Sequence, residues 1–269
     1  MRTRLFTLIL LFFSPAAAFA GDIMFEGFYR VDLAGKQIGY AIQRYEFDPK
    51  TKTFESTSFL RVKLGDKIMQ ESLKAKANDK FEPVSYQYTS QSGEELKMID
   101  AGFKGEIMKL KISDGKKARD ETHKVPKGTF LSTFLLYVML QKKLKPNDAF
   151  KYSAIAEEEG SSYWGKSWLE SKQDKSGGQT VFRILNKFKG EEFISNLAVV
   201  PDPKEAGKFI KGEVVSTRSP AKNLSTELVA SPAQATEGQM VPNKTLVTLF
   251  GAMPTGKMNM LATPEKKDN

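Results

Sequence analysis

The chain has 269 residues, no cysteine, one histidine and a formal net charge of +9. The lack of cysteine excludes disulfides and thiol chemistry, and one histidine cannot supply the several nitrogen or sulfur ligands of an ordinary zinc site. The length suits one large or two small domains and is sufficient for a core without covalent cross-links.

The first twenty residues have the pattern of a secretory signal peptide. Arg2 and Arg4 precede the apolar run 5–13, and Ala18-Phe19-Ala20 offers small residues where a signal peptidase cleaves. The run is too short to span a bilayer, and no later run approaches the roughly 20 residues that a transmembrane helix needs. We therefore predict cleavage after Ala20 and a periplasmic protein without a membrane span.

Cleavage would lower the net charge from +9 to +7 by removing two arginines. The lysines are spread over most segments, which is typical of a solvated surface and leaves open a weak attraction to anionic partners of the envelope. An exported chain without a recognition motif is not expected to bind nucleic acid.

Between residues 25 and 125 the apolar residues alternate with polar ones, which predicts strands with one face on a core. Turn residues separate the runs at the spacing of an antiparallel meander. Asp114-Gly115 is a strong hairpin signal because glycine adopts positive φ at no steric cost.

One segment breaks this alternation and predicts a helix over about residues 130–144, with Thr129 as N-cap and Pro146 as its end. It is apolar nearly all round, so we expect it to be central and buried, with Leu135 and Val138 fully buried.

Strand patterns resume from Phe150 and continue to about residue 230. Residues 231–269 are predicted to be a mostly irregular tail, with a disordered end and one apolar island at 245–250 that could be a last strand or an edge contact. The predicted organisation is a signal peptide (1–20), one β-rich domain (21–230) and the tail. The predicted fold is mainly β, a strongly curved antiparallel sheet or half-barrel with one central helix.

Two stretches carry a resemblance to a known group of proteins. Residues 34–40, AGKQIGY, between two strands resemble the first hairpin of periplasmic β-sheet proteins of unknown function, with its Gly-Lys-x-Ile-Gly motif. Residues 125–154 look like that family's central helix and the turn into its second half. The plan is similar to that of lipoprotein-localisation carriers, although their lid of several helices is not evident. The resemblance implies a fold and supplies no catalytic residues.

The first hairpin has two interpretations. Gly35 and Gly39 could serve a turn and a close approach between strands, with Lys36 and Gln37 on an exposed turn where alanine changes stability by no more than about 0.5 kcal/mol. Alternatively the hairpin is a recognition tip that offers Lys36 to an anionic partner.

Residues for catalysis are few. His123 lies in a polar strand, and the chain has no Gly-x-Ser-x-Gly elbow for a serine triad. Glu157, Glu158 and Glu159 are interpreted as a solvated acidic turn, because neighbouring residues of a strand point to opposite faces and do not form a carboxylate pair. We expect no enzyme activity, no metal and no cofactor.

The most suggestive cluster contains both tryptophans, Trp164 and Trp168, beside Tyr163. On a strand the two indoles share a face, either as a platform for a lipid chain or sugar ring or as core packing against the helix. With Phe134 and Tyr137 of the predicted helix, these residues are our candidate ligand-binding set.

Three functions remain open at this stage. The leading hypothesis is an envelope protein that binds an apolar or amphiphilic ligand, such as a lipid, or a partner protein in the concave face of the sheet. The second is a structural module with a filled core that acts through its edges, and the third is a carboxylate-based hydrolase.

Overall fold

The computed structural model describes residues 21–115, 117–142, 147–176, 179–201, 204 and 209–261. The predicted signal peptide, the helix end at Pro146 and the disordered C-terminal end lie outside these residues.

Fifteen strands make up most of the described chain. The first eight are β1 (Asp22–Leu33), β2 (Lys36–Asp48), β3 (Thr53–Leu64), β4 (Lys67–Asn78), β5 (Pro83–Ser92), β6 (Glu95–Lys104), β7 (Ile107–Ser113) and β8 (Ala118–Lys124). The other seven are β9 (Phe130–Leu131), β10 (Ala149–Ala156), β11 (Ser161–Ser176), β12 (Gln179–Phe188), β13 (Glu191–Pro201), β14 (Phe209–Ser219) and β15 (Leu224–Val229).

All fifteen strands belong to one curved open sheet. Its order is β8-β7-β6-β5-β4-β3-β2-β1-β15-β14-β13-β12-β11-β10-β9, so the first strand pairs with the last at the centre. Every pairing is antiparallel except β9 with β10. The predicted fold class, a strongly curved antiparallel sheet, is confirmed.

The alternation in the sequence separates the two faces of this sheet. In β7, Met108, Leu110 and Ile112 are buried while Lys109 and Lys111 are exposed. The buried set faces inward, where the two ends of the curved sheet approach each other. One apolar cluster joins side chains of β4–β7 to those of β9 and β10.

The central helical segment is shorter than predicted. Phe130 and Leu131 pair with β10 as a parallel strand, a 3₁₀ turn follows at Ser132–Phe134, and the helix α1 covers only Leu135–Gln141. The apolar run therefore divides between sheet and helix, because a short run of this kind is compatible with either.

Two details of that segment were predicted wrongly. Thr129 is not an N-cap, since its hydroxyl donates to the carbonyl of Pro126 (2.7 Å) and lies 2.8 Å from Ser153 Oγ. Val138 is buried as expected, but Leu135 is half-buried. It lies between two apolar clusters and is enclosed by neither.

The C-terminal segment packs on the outer face of β1–β3. The helices α2 (Pro232–Thr236) and α3 (Asn243–Phe250) lie in otherwise irregular chain, and residues 245–250, left open as a strand, belong to α3. Leu246 and Phe250 pack against outward-facing Phe28 of β1 and its neighbours on β2 and β3.

The first hairpin turns at Ala34 and Gly35, both with positive φ, as in a type I′ turn. Gln37 was expected to be on an exposed turn, and this was wrong. Its amide donates to the carbonyl of Ala235 (2.7 Å) and so ties the hairpin to α2. Lys36 is exposed. In the part of the chain that the structure describes, no helix has the length and apolar character needed to cross a membrane.

Candidate functional site

A cavity of about 720 Å³ lies on the inner side of the curved sheet. One wall comes from the inner faces of β1–β5, and the opposite wall comes from β14, β15, the 3₁₀ turn and the chain after β10. Inward-facing side chains that line it include Phe25, Tyr29, Ala41, Gln43, Tyr45, Ser58, Leu60, Glu71, Leu73, Tyr88, Thr133, Leu136, Glu157, Thr217 and Leu224. Its volume is within the range of small-molecule sites.

The helical segment forms the floor of the cavity. The hydroxyl of Tyr45 donates to the carbonyl of Thr133 at 2.7 Å, and the hydroxyls of Ser56 and Thr133 are 2.6 Å apart. The ring of Tyr45 also packs edge-on against that of Tyr137, with centroids 4.8 Å apart. Burial raises the pKa of Tyr45 well above its usual value, so the phenol stays protonated and keeps this bond. The floor is thus fixed to the β2–β3 wall.

A buried carboxyl group stands beside this floor. Glu157 is 3% exposed, and it accepts a hydrogen bond from Ser132 Oγ (2.6 Å) and another from the backbone N–H of Thr133 (3.1 Å). Burial raises its pKa to about 7, against the opposing effect of these two donors. The interpretation of residues 157–159 as a solvated turn is therefore wrong for Glu157, since the turn after β10 directs this side chain inward.

The other two acids of the run lie at the surface and are neutralised there. Lys189 contacts the carboxylates of both Glu158 and Glu159. The hydroxyl of Tyr163 donates to Glu159 at 2.5 Å, and Lys97 Nζ donates to the carbonyl of Glu158 at 2.6 Å. Since Glu158 also lines the cavity, this cluster holds one part of its rim.

A row of polar side chains crosses the inner face of β11–β14. Ser167 Oγ donates to Asn186 Oδ1 (2.5 Å), Asn186 Nδ2 donates to Ser195 Oγ (3.4 Å), and Ser195 and Thr217 hydroxyls are 3.2 Å apart. Thr217 ends the row in the cavity wall. The cavity therefore has a mostly apolar wall from the N-terminal half, with Gln43, Ser58 and Glu71 as polar members, and a more polar wall from the C-terminal half.

The structure brings together only part of the candidate ligand-binding set. Phe134 and Tyr137 pack with Tyr45 and Phe81 behind the floor, so Thr133 and Leu136 of the same segment line the cavity instead. Tyr163 belongs to the rim cluster described above.

Trp164 and Trp168 lie on the other face of the sheet. They share a face of β11, as the spacing predicted, but that face alternates with the buried Ser167 and Leu169 and points outward. They neither line the cavity nor pack against α1. Whether any member of the set binds a ligand stays a prediction.

The sequence analysis did not identify Glu157, Tyr45 and Thr133 as residues of an internal cavity. The available signal for Glu157 was its position directly after the buried run 152–156, because a polar residue next to a core strand can itself be buried. His123 lies exposed on the edge strand β8 and contacts Glu121 at 2.8 Å, outside the cavity.

No family model and no curated protein matches this sequence. Among solved structures, the chain is similar to a β-barrel-like protein of domain of unknown function DUF1849 from Brucella abortus. The TM-score is 0.51 at 11% sequence identity, over 77% of this chain and 96% of that one. At this identity the similarity concerns the fold alone. The Gly-Lys-x-Ile-Gly motif and the likeness to lipoprotein carriers stay predictions.

Proposed function

We propose that this chain is an exported, non-enzymatic protein of the bacterial cell envelope that holds one amphiphilic molecule in its interior cavity. The observation that carries the proposal is the cavity itself, about 720 Å³ with a mostly apolar wall, a more polar wall and a buried acid beside its floor. Such a combination suits a ligand that has an apolar body and a small polar head.

The charge of the lining indicates the kind of head group. Burial raises the pKa of Glu157 to about 7, so a substantial fraction of this carboxyl is neutral at neutral pH, and burial also raises the pKa of Glu71, a second acid of the lining. Neutral carboxyl groups donate and accept hydrogen bonds, as do the hydroxyls of Ser58 and Thr217. We expect a hydroxyl, amide or amine head rather than a phosphate.

The cavity also bears on the competing hypotheses. A structural module that acts only through its edges has no use for internal space of this size, and closely packed interiors are the norm. A hydrolase would need turnover in the cavity, and loss of a measured turnover in Glu157→Gln would contradict our proposal.

The direct test is native mass spectrometry of the protein purified from its own envelope. We expect a bound species that is released by organic solvent and has the mass of an amphiphile. Recovery of the protein without any bound species, together with no uptake of the apolar dye N-phenyl-1-naphthylamine, would contradict the proposal.

A pair of variants assigns the binding to this cavity. Ser58→Phe puts a ring into the cavity, whereas Ser85→Phe makes the same change on the outer face of β5. We expect the first variant to weaken dye binding by at least about tenfold and the second to leave it unchanged. Equal affinities would place the dye elsewhere.

A further inference from the structure

Three lysines stand side by side on the outer face of β10–β12. Lys151 is directly opposite Lys166, and Lys166 is directly opposite Lys187. All three are exposed. With strands roughly 4.8 Å apart, the row is about 10 Å long. Like charges in directly opposed positions destabilise a sheet, so this row is unfavourable for folding by itself.

Little on the protein offsets this repulsion. Lys187 pairs with Glu192 at 3.3 Å, but both side chains are more than half exposed, at 56% and 59%, and such pairs contribute little. Within the described part of the chain, Lys151 and Lys166 have no carboxylate within salt-bridge distance. The row is thus a concentrated positive charge open to an anionic partner.

The two tryptophans flank the central lysine of this row. Trp164 is 73% exposed, Trp168 is half-exposed, and Lys166 Nζ lies 4.9 Å from the centroid of the Trp168 ring. A tryptophan exposed to this extent is costly in water, because its large apolar surface stays hydrated. Indoles are favoured at the boundary between water and the hydrocarbon of a bilayer.

The hydrogen-bonding groups that line the groove between these side chains limit the class of partner that it can bind. The groove, of about 410 Å³, is lined by Lys151, Trp164, Gly165, Lys166, Lys187 and Gly190. Its side chains offer ammonium and indole N–H donors and no acceptor. A neutral sugar presents donors as well as acceptors, whereas a phosphate diester presents only acceptors. Lysine next to an interfacial indole is the combination that recognises an anionic membrane surface.

We propose that the outer face of β10–β12 docks on the headgroup surface of a bilayer that contains anionic phospholipid. The phosphates lie against the lysine row, and Trp164 enters the interfacial layer. This surface is on the opposite side of the sheet from the cavity, so the proposal does not depend on a ligand being bound inside.

The sequence supplies its own reporter for the test. The chain contains only two tryptophans, and both lie in this patch. We would mix the chain from Gly21 onward with phosphatidylcholine vesicles, with and without phosphatidylglycerol, at low and high salt. We expect co-sedimentation and a blue shift of tryptophan emission only with the anionic vesicles, weakened by salt. Brominated acyl chains should quench this emission.

Matched triple variants distinguish binding through this patch from binding through the net positive charge of the protein. Changing Lys151, Lys166 and Lys187 together to glutamine should weaken vesicle binding on the order of 100-fold, because each basic residue near an anionic surface adds severalfold to the affinity. The control changes three exposed strand lysines elsewhere, Lys63, Lys109 and Lys111, to glutamine and should bind nearly as the parent does.

Two outcomes would overturn the proposal. Equal loss in both triple variants would show attraction by net charge alone. A tryptophan shift with soluble dextran sulfate, without vesicle binding, would show a site for a soluble polyanion. The Ser58→Phe variant should bind vesicles as the parent does, which separates failure of this proposal from failure of the proposed cavity function.

Discussion

At the scale of single residues, Gly39 shows how one position fixes a pair of strands. A Cβ at this position would lie 2.0 Å from the carbonyl oxygen of Arg61 and 2.7 Å from the Cα of Val62. Both are backbone atoms of β3, so β2 and β3 would have to separate. The interpretation of Gly39 as a site of close approach, rather than of recognition, agrees with this geometry.

We therefore predict that Gly39→Ala lowers the free energy of unfolding by about 2 kcal/mol or more, as overpacking does. The control is Gly102→Ala, since a Cβ added to this strand glycine would meet no heavy atom within 4 Å and should change stability by no more than about 0.5 kcal/mol. Urea unfolding of the two variants measures both values. Equal effects on stability would mean that the backbone of β3 at Arg61 can move away from β2 at little cost.

Glu157 makes stability depend on pH. Its pKa in the folded chain is about 7, above the usual value of 4.5, so the folded state binds more protons than the unfolded state between these values. Stability is therefore greatest below about pH 4.5 for this group, falls as the pH rises toward 7, and has lost about 3 kcal/mol above it.

Glu157→Gln keeps an acceptor for the N–H of Thr133 and carries no charge. We predict that the melting temperature of the parent falls more between pH 5 and pH 8 than that of the variant, with the variant the more stable at pH 8. Glu95→Gln, on the exposed β5–β6 hairpin, controls for the loss of one negative charge. Parallel pH profiles for the parent and Glu157→Gln would refute the assignment.

At the scale of elements, the 3₁₀ turn and α1 form the floor of the cavity and pack against the sheet. Phe134 is fully buried, and its ring contacts those of Tyr45 on β2 and Phe81 in the turn between β4 and β5. We predict that Phe134→Ala costs about 3–5 kcal/mol, as is typical for a buried phenylalanine. Leu136→Ala, at the cavity wall, should cost about 1 kcal/mol. Thermal and urea unfolding would compare them, and similar losses would show that the segment is peripheral.

The two edges of the sheet bear on the hypothesis of a module that works through its edges. The edge strand β8 consists almost entirely of charged and polar residues, and β9 at the opposite edge has two residues. Charged and very short edge strands are the usual protection against pairing with another chain. Strand addition at either edge is therefore disfavoured.

Local patterns in the sequence were sufficient for the strands and insufficient for the helices. Alternation is a property of each strand, so the predicted start of the second group of strands, at Phe150, lies one residue from the observed start of β10 at Ala149. The run 245–250 forms α3 because Leu246 and Phe250 pack on the outward-facing Phe28, a contact that no local pattern contains. Glu157 was misplaced for the same reason, since burial of one acid in a run of three depends on which face the sheet encloses.

At the scale of the whole molecule, a buried ion pair attaches the C-terminal segment to the sheet. Arg44 Nε donates to Glu26 Oε2 at 2.7 Å, and Arg44 Nη1 donates to the carbonyl of Phe250 at the end of α3, also at 2.7 Å. The other carboxylate oxygen of Glu26 accepts hydrogen bonds from the backbone N–H groups of Thr255 and Gly256. Two charges on β1 and β2 thus connect to chain more than 200 residues away.

The final prediction concerns this attachment. Arg44→Ala would leave Glu26 buried without its counter-ion, which typically costs about 3–5 kcal/mol. It would also free the carbonyl of Phe250. We expect the segment after β15 to become sensitive to protease in the variant, because its contacts with the sheet weaken before the sheet itself unfolds. The matched control is Arg183→Ala, since Arg183 also pairs with a carboxylate, that of Glu170, but the two side chains are 49% and 30% exposed, so its loss should cost about 1 kcal/mol at most. Urea unfolding and limited proteolysis followed by mass spectrometry would measure both effects. If the two arginine variants behaved alike, the C-terminal segment would be a loosely held tail; a selective loss in Arg44→Ala would make it an integral layer over β1–β3.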